Sequence, residues 1–199
     1  RDRGYGVINT IAPSPLDAKE IWAGSDTGLI HVTQDGGTTW TNVTPPGMTS
    51  WSKVALIEAS RFDLGTAYVA ADRHELDDQA PYLYITHDYG KKWKLSVDGI
   101  GPKSFTNCVR EDLTNKDLLF AGTELGIYVS FNGGDHWQPL QMNLPVTSVR
   151  DIAVHGDDLI VATHGRSLWI MDDISPLREV AEAAKADGPY FYNPGATLR

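Results

Sequence analysis

The chain has 199 residues, and its 17 basic and 26 acidic side chains give a formal net charge of −9. This length suits one domain, and a hydrophobic share of 41% argues against a disordered chain. The acidic balance argues against a nucleic-acid partner, whose phosphates attract Lys and Arg. The longest apolar run, Ala67–Ala71, is far shorter than the ~20 residues that span a bilayer. The single cysteine, Cys108, excludes an internal disulfide and a zinc cluster built on cysteines.

The start of the chain shows neither an initiator methionine nor a signal-like segment. It opens on Arg1-Asp2-Arg3, and no apolar stretch follows. We therefore expect the chain to be an excerpt from a longer protein, with any targeting signal outside it.

Short apolar or alternating runs, separated by Gly, Asp, Asn and Pro, indicate strands and turns along the whole chain. In the first part of the chain we predict strands near 6–11, 21–24, 29–33 and 39–43. Four strands within about 45 residues are typical of one blade of a β-propeller.

Two sequence features repeat and predict further blades. A turn pattern, Ser/Thr-x-Asp/Asn-x-Gly-x-x-Trp, occurs at 33–40, 86–93 and 130–137. An apolar run precedes each copy and occurs a fourth time, with an alanine that we take as its anchor: Ala23, Ala70, Ala121 and Ala162. We predict four four-stranded antiparallel blades, the last without a recognisable turn motif, and almost no helix before residue 174.

The repeated turn favours a structural role. An Asp or Asn side chain accepts hydrogen bonds from backbone N–H groups one or two residues further on, and the following Gly permits a positive φ. The Trp then opens the next strand and buries its ring between blades. The alternative, a catalytic or metal-binding role, is weakened by Asn132, because an amide is no general acid or base. The predicted structural residues are Asp35, Gly37, Trp40, Asp88, Gly90, Trp93, Asn132, Gly134 and Trp137.

The three turn motifs resemble the Asp-boxes, or BNR repeats, of sialidases, sortilin-type receptors, some xyloglucan-degrading hydrolases and photosystem assembly factors. Segments 21–33, 121–130 and 162–170 are similar to a bacterial group of large sortilin-like, glycosyl-hydrolase-like BNR-repeat proteins. The resemblance covers residues from about 4 to 177. It implies a ring of about seven blades in an exported protein, extracellular or periplasmic, with the remaining blades in the parent chain. It also implies that the propeller ends near 172–177.

The composition changes after residue 174. Ser175 and Pro176 suit a helix start, and Gly188-Pro189 suits a stop, so we predict a short helix over about 176–186. Residues 190–192 are either a last strand or a connection to another domain. We therefore divide the chain into propeller blades, 1–174, and a helix with a C-terminal extension, 175–199.

Candidate binding residues lie in the loops between strands 2 and 3 and between blades, which face the channel mouth in propellers of this kind. The loop 72–78 is the longest and most charged. Its carboxylates suit acid–base work on a glycoside or a divalent cation, and the third interpretation is a solvated loop. The ligand-binding candidates are Asp26, Trp51, Asp72, Arg73, His74, Glu124, His164 and Arg166.

Two functions from different classes follow, and the sequence alone does not decide whether the chain is an enzyme. The favoured one is a non-catalytic binding or scaffold propeller that recognises peptide or glycan at the channel mouth. The alternative is a secreted glycoside hydrolase with its active site partly outside this excerpt. The arginine cluster of sialidases is not recognisable, so sialidase catalysis is not supported. We expect no cofactor, metal, nucleic-acid partner or membrane span.

The first strands of the four repeats align on Ile11, Ile57, Val109 and Ile152. This places Glu58 and Arg110 at equivalent positions on neighbouring blades. We predict an ion pair between them, or a network shared with Glu111 and Asp151, whereas the alternative places one of them against a ligand. Arg178 serves in this interpretation as a surface arginine. We also expect that the four blades do not close a ring by themselves.

Overall fold

The computed structural model describes residues 6–193, so the first five and last six residues of the predicted domains lie outside the described part. Within 6–193 the strands form four antiparallel sheets in chain order. The first sheet holds β1 (Ile8–Pro13), β2 (Ile21–Ser25), β3 (Ile30–Thr33) and β4 (Thr41–Asn42). The second holds β5 (Lys53–Ala59), β6 (Ala67–Asp72), β7 (Tyr82–Thr86) and β8 (Lys94–Leu95). The third holds β9 (Thr106–Glu111), β10 (Leu119–Thr123), β11 (Gly126–Ser130) and β12 (Gln138–Pro139). The fourth holds β13 (Val149–His155), β14 (Asp158–Thr163) and β15 (Leu168–Met171).

Each sheet is one blade of a β-propeller, as predicted. Strand order within every blade follows chain order, and the first strands β1, β5, β9 and β13 contact one another in succession. The first strands therefore line the channel, and the last strands lie at the outer edge of the arc. The fourth blade differs from the prediction because it has three described strands. After β15 the chain turns away into a helix, so no fourth strand forms there.

A bulge in each first strand sets the register of the blade. The register shifts at residues 9, 55, 107 and 150. Beyond the bulge, Ile57 pairs with Val69, and Ile152 with Val161. Two predicted alanine anchors are therefore wrong by one residue: Ala70 and Ala162 take the places of Gly24 and Gly122.

A small residue is needed at that position because the next blade approaches closely. A Cβ on Gly24 would lie 2.4 Å from Val54 Cγ1, and one on Gly122 would lie 2.7 Å from Val149 Cγ1. Both valines belong to the first strand of the following blade. A larger side chain there would separate the blades, so the fourfold pattern of small residues marks the interface.

The hydrophobic core lies between the blades rather than inside one sheet. Ile57, Val109 and Ile152 are 3%, 0% and 1% exposed, each within a cluster shared with the preceding blade. The equivalent Ile11 of the first blade is 61% exposed. On the last blade, Ile170 is 61% exposed. The described blades thus form an arc with one open apolar face at each end, as expected for blades that do not close a ring.

The three repeated turns (33–40, 86–93 and 130–137) share one hydrogen-bond pattern. In the first, the Thr33 hydroxyl donates to Asp35 Oδ1 (2.8 Å) and accepts from the Gly37 N–H (2.9 Å). Asp35 Oδ1 also accepts from the Thr39 N–H (2.9 Å). The other two turns repeat these bonds through Thr86 and Asp88, and through Ser130 and Asn132.

The acceptor geometry differs from the prediction in one respect. The carboxylate caps the N–H four residues further on, and not one or two, because two successive residues have positive φ and fold the chain back over the side chain. These residues are Gly36 and Gly37 in the first turn and Tyr89 (φ 59°) and Gly90 in the second. The hydrogen bonds from Thr39 and Thr33 lower the pKa of Asp35 to about 2.

The C-terminal segment forms two single helical turns, α1 (Ser175–Arg178) and α2 (Val180–Ala183), and not one helix over 176–186. Ile174 is buried against the last two blades. Arg178 is not a surface residue: it bonds to Asp112 of the third blade (3.0 Å) and to Asp157 of the fourth. Residues 190–192 form no strand, and the Tyr190 hydroxyl donates to Glu179 Oε2 (2.9 Å).

The turn geometry predicts the effect of changing Asp88. Asp88→Ala removes the acceptor for Thr86 and for the Lys92 N–H, and we expect the melting temperature to fall by a few degrees. Asp88→Asn should stay close to the wild type, because Asn132 makes the same bonds in the third turn. Thermal unfolding followed by circular dichroism measures both. An Asn variant as unstable as the Ala variant would contradict this role.

Candidate functional site

The predicted binding loops gather at one end of the arc. In the first, third and fourth blades, a backbone hydrogen bond joins the strand 2–3 loop to an adjoining blade-to-blade loop. These bonds are Trp51 N–H to Thr27 O (2.9 Å), Glu124 N–H to Phe105 O (3.0 Å) and His164 N–H to Ser148 O (2.8 Å). We call this end the loop end. The repeated turns lie at the opposite end, because they connect strand 3 to strand 4.

Asp72 and His74 form an oriented pair at the loop end. Asp72 is 5% exposed, and its two carboxylate oxygens lie 2.7 and 2.6 Å from His74 Nδ1. Since a carboxylate only accepts, Nδ1 carries the proton and Nε2 of a neutral ring is an acceptor. The imidazole stacks on Phe105 at 5.0 Å between ring centroids. The half-exposed His74 is therefore held in one orientation, by Asp72 at Nδ1 and by the Phe105 ring against its face.

Arg73 belongs to a separate cluster. Its guanidinium lies 4.7 Å from the Tyr82 ring centroid, and its Nε lies 3.4 Å from Asp78 Oδ2. Asp78 also accepts from the Tyr82 hydroxyl (2.8 Å) and the Ala80 N–H (3.0 Å). These two hydrogen bonds lower the pKa of Asp78. Arg73 and Asp78 pair their opposite charges within the cluster, which favours a role in holding the long loop.

A third group joins blades three and four. Glu124 Oε2 accepts from the Ser148 hydroxyl (2.7 Å) and lies 3.6 Å from Arg150 Nη2. The same Arg150 nitrogen lies 3.4 Å from His164 Nδ1. The backbone bond from Glu124 to Phe105 connects this group to the His74 pair. His74, Phe105, Glu124, Arg150 and His164 thus form one continuous surface, which we call the rim.

Three further predicted residues, Asp26, Trp51 and Arg166, also lie at the loop end. Asp26 Oδ1 accepts from the Val7 N–H (2.8 Å). Trp51 has a positive φ of 67°, which is a strained conformation for a bulky residue, and is 38% exposed. The exposed Arg166 offers its carbonyl to the Trp169 indole (2.8 Å).

The ligand-binding candidates chosen from the sequence did not include two rim residues, Phe105 and Arg150, or Ser148, which bonds to the rim residue Glu124. Phe105 and Ser148 lie in the blade-to-blade loops, so only the curvature of the arc brings them to the strand 2–3 loops. One feature of the sequence could have identified Arg150. This residue occupies the bulge of a first strand, where Asn9 and Asn107 use their side chains to bond Val54 O and Val149 O of the next blade.

Arg110 holds three neighbouring first strands together, as the alignment predicted. Its Nη1 donates to Glu58 Oε2 on the second blade (2.8 Å). On the fourth blade, its Nη2 donates to Asp151 Oδ1 and its Nε to Ile152 O, both at 2.8 Å. Glu111 is not part of this network. It accepts from Ser60, Tyr68 and the Arg61 N–H instead.

A polar cavity of about 260 Å³ adjoins this network on the channel wall. Burial raises the pKa of Glu58, although the ion pair with Arg110 opposes the shift. Burial likewise raises the pKa of Glu111. The cavity is lined by Glu58, Arg61, Arg110, Glu111, Leu113 and residues 151–154. The sequence predicted the ion pair but not the cavity.

No metal-binding cluster of three or more His, Cys, Asp or Glu residues occurs within residues 6–193. In the same range, no helix is both long and apolar enough to cross a membrane.

Comparison with solved structures places the chain among β-propellers. YCF48 bound to D1 peptide superposes with a TM-score of 0.60 at 16% identity, covering 84% of this chain and 52% of that one. A GH74 xyloglucanase from Xanthomonas campestris gives 0.63 at 15% identity, covering 82% and 29%. The extracellular domain of BT4673 from B. thetaiotaomicron gives 0.61 at 17% identity, covering 83% and 21%.

These likenesses show the fold alone, because the identities are low. The chain spans about half the length of the YCF48 chain and less than a third of the other two. No protein-family model matches the sequence, and no curated protein is significantly similar to it. The neighbours include a peptide-bound propeller and an enzyme, so they share a fold but not a function. The class of protein that the comparison defines is therefore the β-propeller.

The Arg110 network predicts a specific loss of stability. Arg110→Met removes the close cationic partner of Glu58, which is largely buried, and leaves it only the longer contact with Arg61 (4.0 Å). We expect a loss of about 2 kcal/mol, below the ~3–5 of a fully buried pair because the network is partly exposed. The exposed Arg166 is the control, and Arg166→Met should change the free energy of unfolding by less than about 0.5 kcal/mol. Urea unfolding measures both, and equal effects would contradict the account.

Proposed function

We propose that the chain is part of a non-catalytic binding or scaffold β-propeller whose rim recognises peptide or glycan. One observation carries the proposal: three carboxylates at the loop end already have partners. Asp72 is held by His74, Glu124 by Ser148 and Arg150, and Asp26 by a backbone N–H. These contacts leave hydrogen-bonding groups and an aromatic ring for a ligand, and among Asp26, Asp72 and Glu124 they leave no pair of free carboxylates for acid–base chemistry.

The finer parts of the interpretation belong to the same proposal. The repeated turns are Asp-boxes of the sortilin-like type, and the propeller ends near residue 174. The protein is exported, and further blades of the parent chain complete a ring of about seven. The open apolar face at each end of the arc supports this last point, because Ile11 occupies a position that is buried in the three other blades.

The rim is tested by binding arrays. The 199-residue chain is screened on a peptide array and on a glycan array, and each hit is measured again with His74→Ala and Arg150→Ala. We expect both variants to weaken the binding at least about tenfold. The control is His155→Ala, an exposed histidine outside the rim, which should bind like the wild type. Hits that are indifferent to both rim variants would refute the proposal.

The alternative is a glycoside hydrolase that uses the channel wall. The observation in its favour is that Glu58 and Asp151 adjoin one cavity in different environments, Glu58 buried with a raised pKa and Asp151 half-exposed. Reducing-sugar release from soluble polysaccharides, abolished by Glu58→Gln, would establish the hydrolase. Its absence across the panel is the result we expect, because Arg110 occupies both carboxylates.

A further inference from the structure

The polar cavity on the channel wall lies far from the rim, at the end of the blades that carries the repeated turns. The strands β5, β9 and β13 each follow a blade-to-blade loop, so they begin at the loop end and run away from it. Glu58 and Arg110 are the last residues but one of their strands, and Arg61 follows the end of β5. Further blades join the arc at its ends, whereas this cavity opens on the channel, so a completed ring leaves it accessible.

The guanidinium of Arg61 lines this cavity and makes no hydrogen bond to any described residue. Its Nε is buried without a partner. Its Nη2 lies 4.0 Å from Glu58 Oε1, which is beyond hydrogen-bond distance. Buried polar groups in proteins almost always have a hydrogen-bond partner, so this guanidinium is an exception that a ligand would resolve.

The fold itself does not require an arginine at position 61. In the first three blades, one side chain holds the turn after the first strand by accepting the N–H two residues further on. The three side chains are those of Ser14, Ser60 and Asp112. The next residue is Pro15, Arg61 or Leu113. The turn therefore forms with or without a charge at this position, and the Arg61 guanidinium is free for another role.

Two carboxylates of the same cavity each keep one oxygen for a ligand. Arg110 donates to Glu58 Oε2 and to Asp151 Oδ1. Glu58 Oε1 has the long contact with Arg61, and no residue within 6–193 donates to Asp151 Oδ2. Glu111 also lines the cavity, but three donors already occupy its carboxylate. One cationic group and two acceptor oxygens thus remain around one space.

The balance of charge selects a class of ligand. Arg110 shares its single positive charge between Glu58 and Asp151, so one negative charge remains on this side of the cavity. Arg61 places a positive charge beside it. A phosphate would meet two carboxylates, a simple amine would leave Arg61 without an anion, and a neutral sugar would compensate neither charge. A zwitterion compensates both, and the apolar lining at Leu113 and Val154 suits an apolar side chain.

We propose that this cavity binds a free α-amino acid with an apolar side chain. The ligand carboxylate accepts hydrogen bonds from the Arg61 guanidinium. Its ammonium group donates to Glu58 Oε1 and Asp151 Oδ2, and its side chain lies against Leu113 and Val154. The cavity volume of about 260 Å³ accommodates such a molecule. This is binding without reaction, and neither the rim proposal nor the hydrolase alternative depends on it.

The first test compares leucine with two analogues that each lack one of its charges. Isocaproate is leucine without the ammonium group, and isoamylamine is leucine without the carboxylate. Each is titrated into the ¹⁵N-labelled 199-residue chain and followed by NMR. We expect leucine to shift the Arg61 Nε–Hε signal and the amides of 152–154. Both analogues should bind at least about tenfold more weakly, because each loses its charge-assisted hydrogen bonds.

The second test removes the guanidinium and keeps the fold. Arg61→Met should abolish the leucine shifts, while the melting temperature stays within about two degrees of the wild type, because the guanidinium has no hydrogen bond to lose. The matched control is Lys116→Met. Lys116 is an exposed cation at the same end of the blades and does not line the cavity, so this variant should bind leucine like the wild type.

Four results would overturn the proposal. Leucine shifts no signal at millimolar concentration, or leucine and both analogues bind equally. The leucine shifts persist in Arg61→Met, or inorganic phosphate or glucose produces the same shifts with higher affinity than leucine. The last result would assign the cavity to an anion or to a sugar. The comparison of leucine with its analogues uses the wild-type chain, so it decides the matter even if Arg61→Met fails to fold.

Discussion

Each blade of this protein buries its apolar faces only against its neighbours, and the rest of the structure depends on that constraint. A lone four-stranded sheet of this size has two apolar faces and no core of its own. Stacking the blades side by side removes both faces from water, and the gain grows with apolar area at roughly 25 cal/mol per Å². The interface therefore dictates where small, apolar and aromatic residues occur in every repeat.

The interface between two blades consists of three layers, from the channel to the outer edge of the arc. On the channel side, Arg110 ties three first strands together through charge-assisted bonds. In the middle, Val54 and Val149 approach Gly24 and Gly122 of the preceding blades. At the outer edge of the arc, the indoles of Trp93 and Trp137 dock on the preceding blades. Because these layers fix the blades, the loops above them are held at defined distances, and the rim is assembled from loops of three blades.

The sequence was informative where the cause of structure is local. The turn motif contains its own hydrogen-bond donors and acceptors, so its three copies are recognisable from the order of residues alone. The pair of Glu58 and Arg110 was also predictable, because equivalent positions on neighbouring first strands lie side by side. The alanine anchors failed at Ala70 and Ala162 because these two blades have alanine where the other two have Gly24 and Gly122, and only the strand pairing shows which positions correspond. Arg178 was misjudged because its partners come from two distant segments.

In the candidate functional site, too, local features were predictable from the sequence and contacts between distant segments were not. The loops that carry His74, Glu124 and His164 were located from the strand pattern. Their partners Phe105, Ser148 and Arg150 were not, because these contacts depend on how far each blade turns relative to the next. The orientation of His74 by Asp72 is local, two residues apart, yet the 72–78 loop left several pairings open. Only the folded structure shows that Asp72 pairs with His74.

The most direct test of the blade-interface account is the free energy of unfolding of three Trp→Phe variants of the 199-residue chain. Trp137→Phe loses a buried indole hydrogen bond, and Trp93→Phe loses a half-buried one. Trp40 is 44% exposed and has no preceding blade among the described residues. The account predicts losses of about 1–3 kcal/mol for Trp137, less for Trp93 and close to zero for Trp40. Equal losses at all three positions would contradict it, because the tryptophans would then stabilise their own turns rather than the contact between blades.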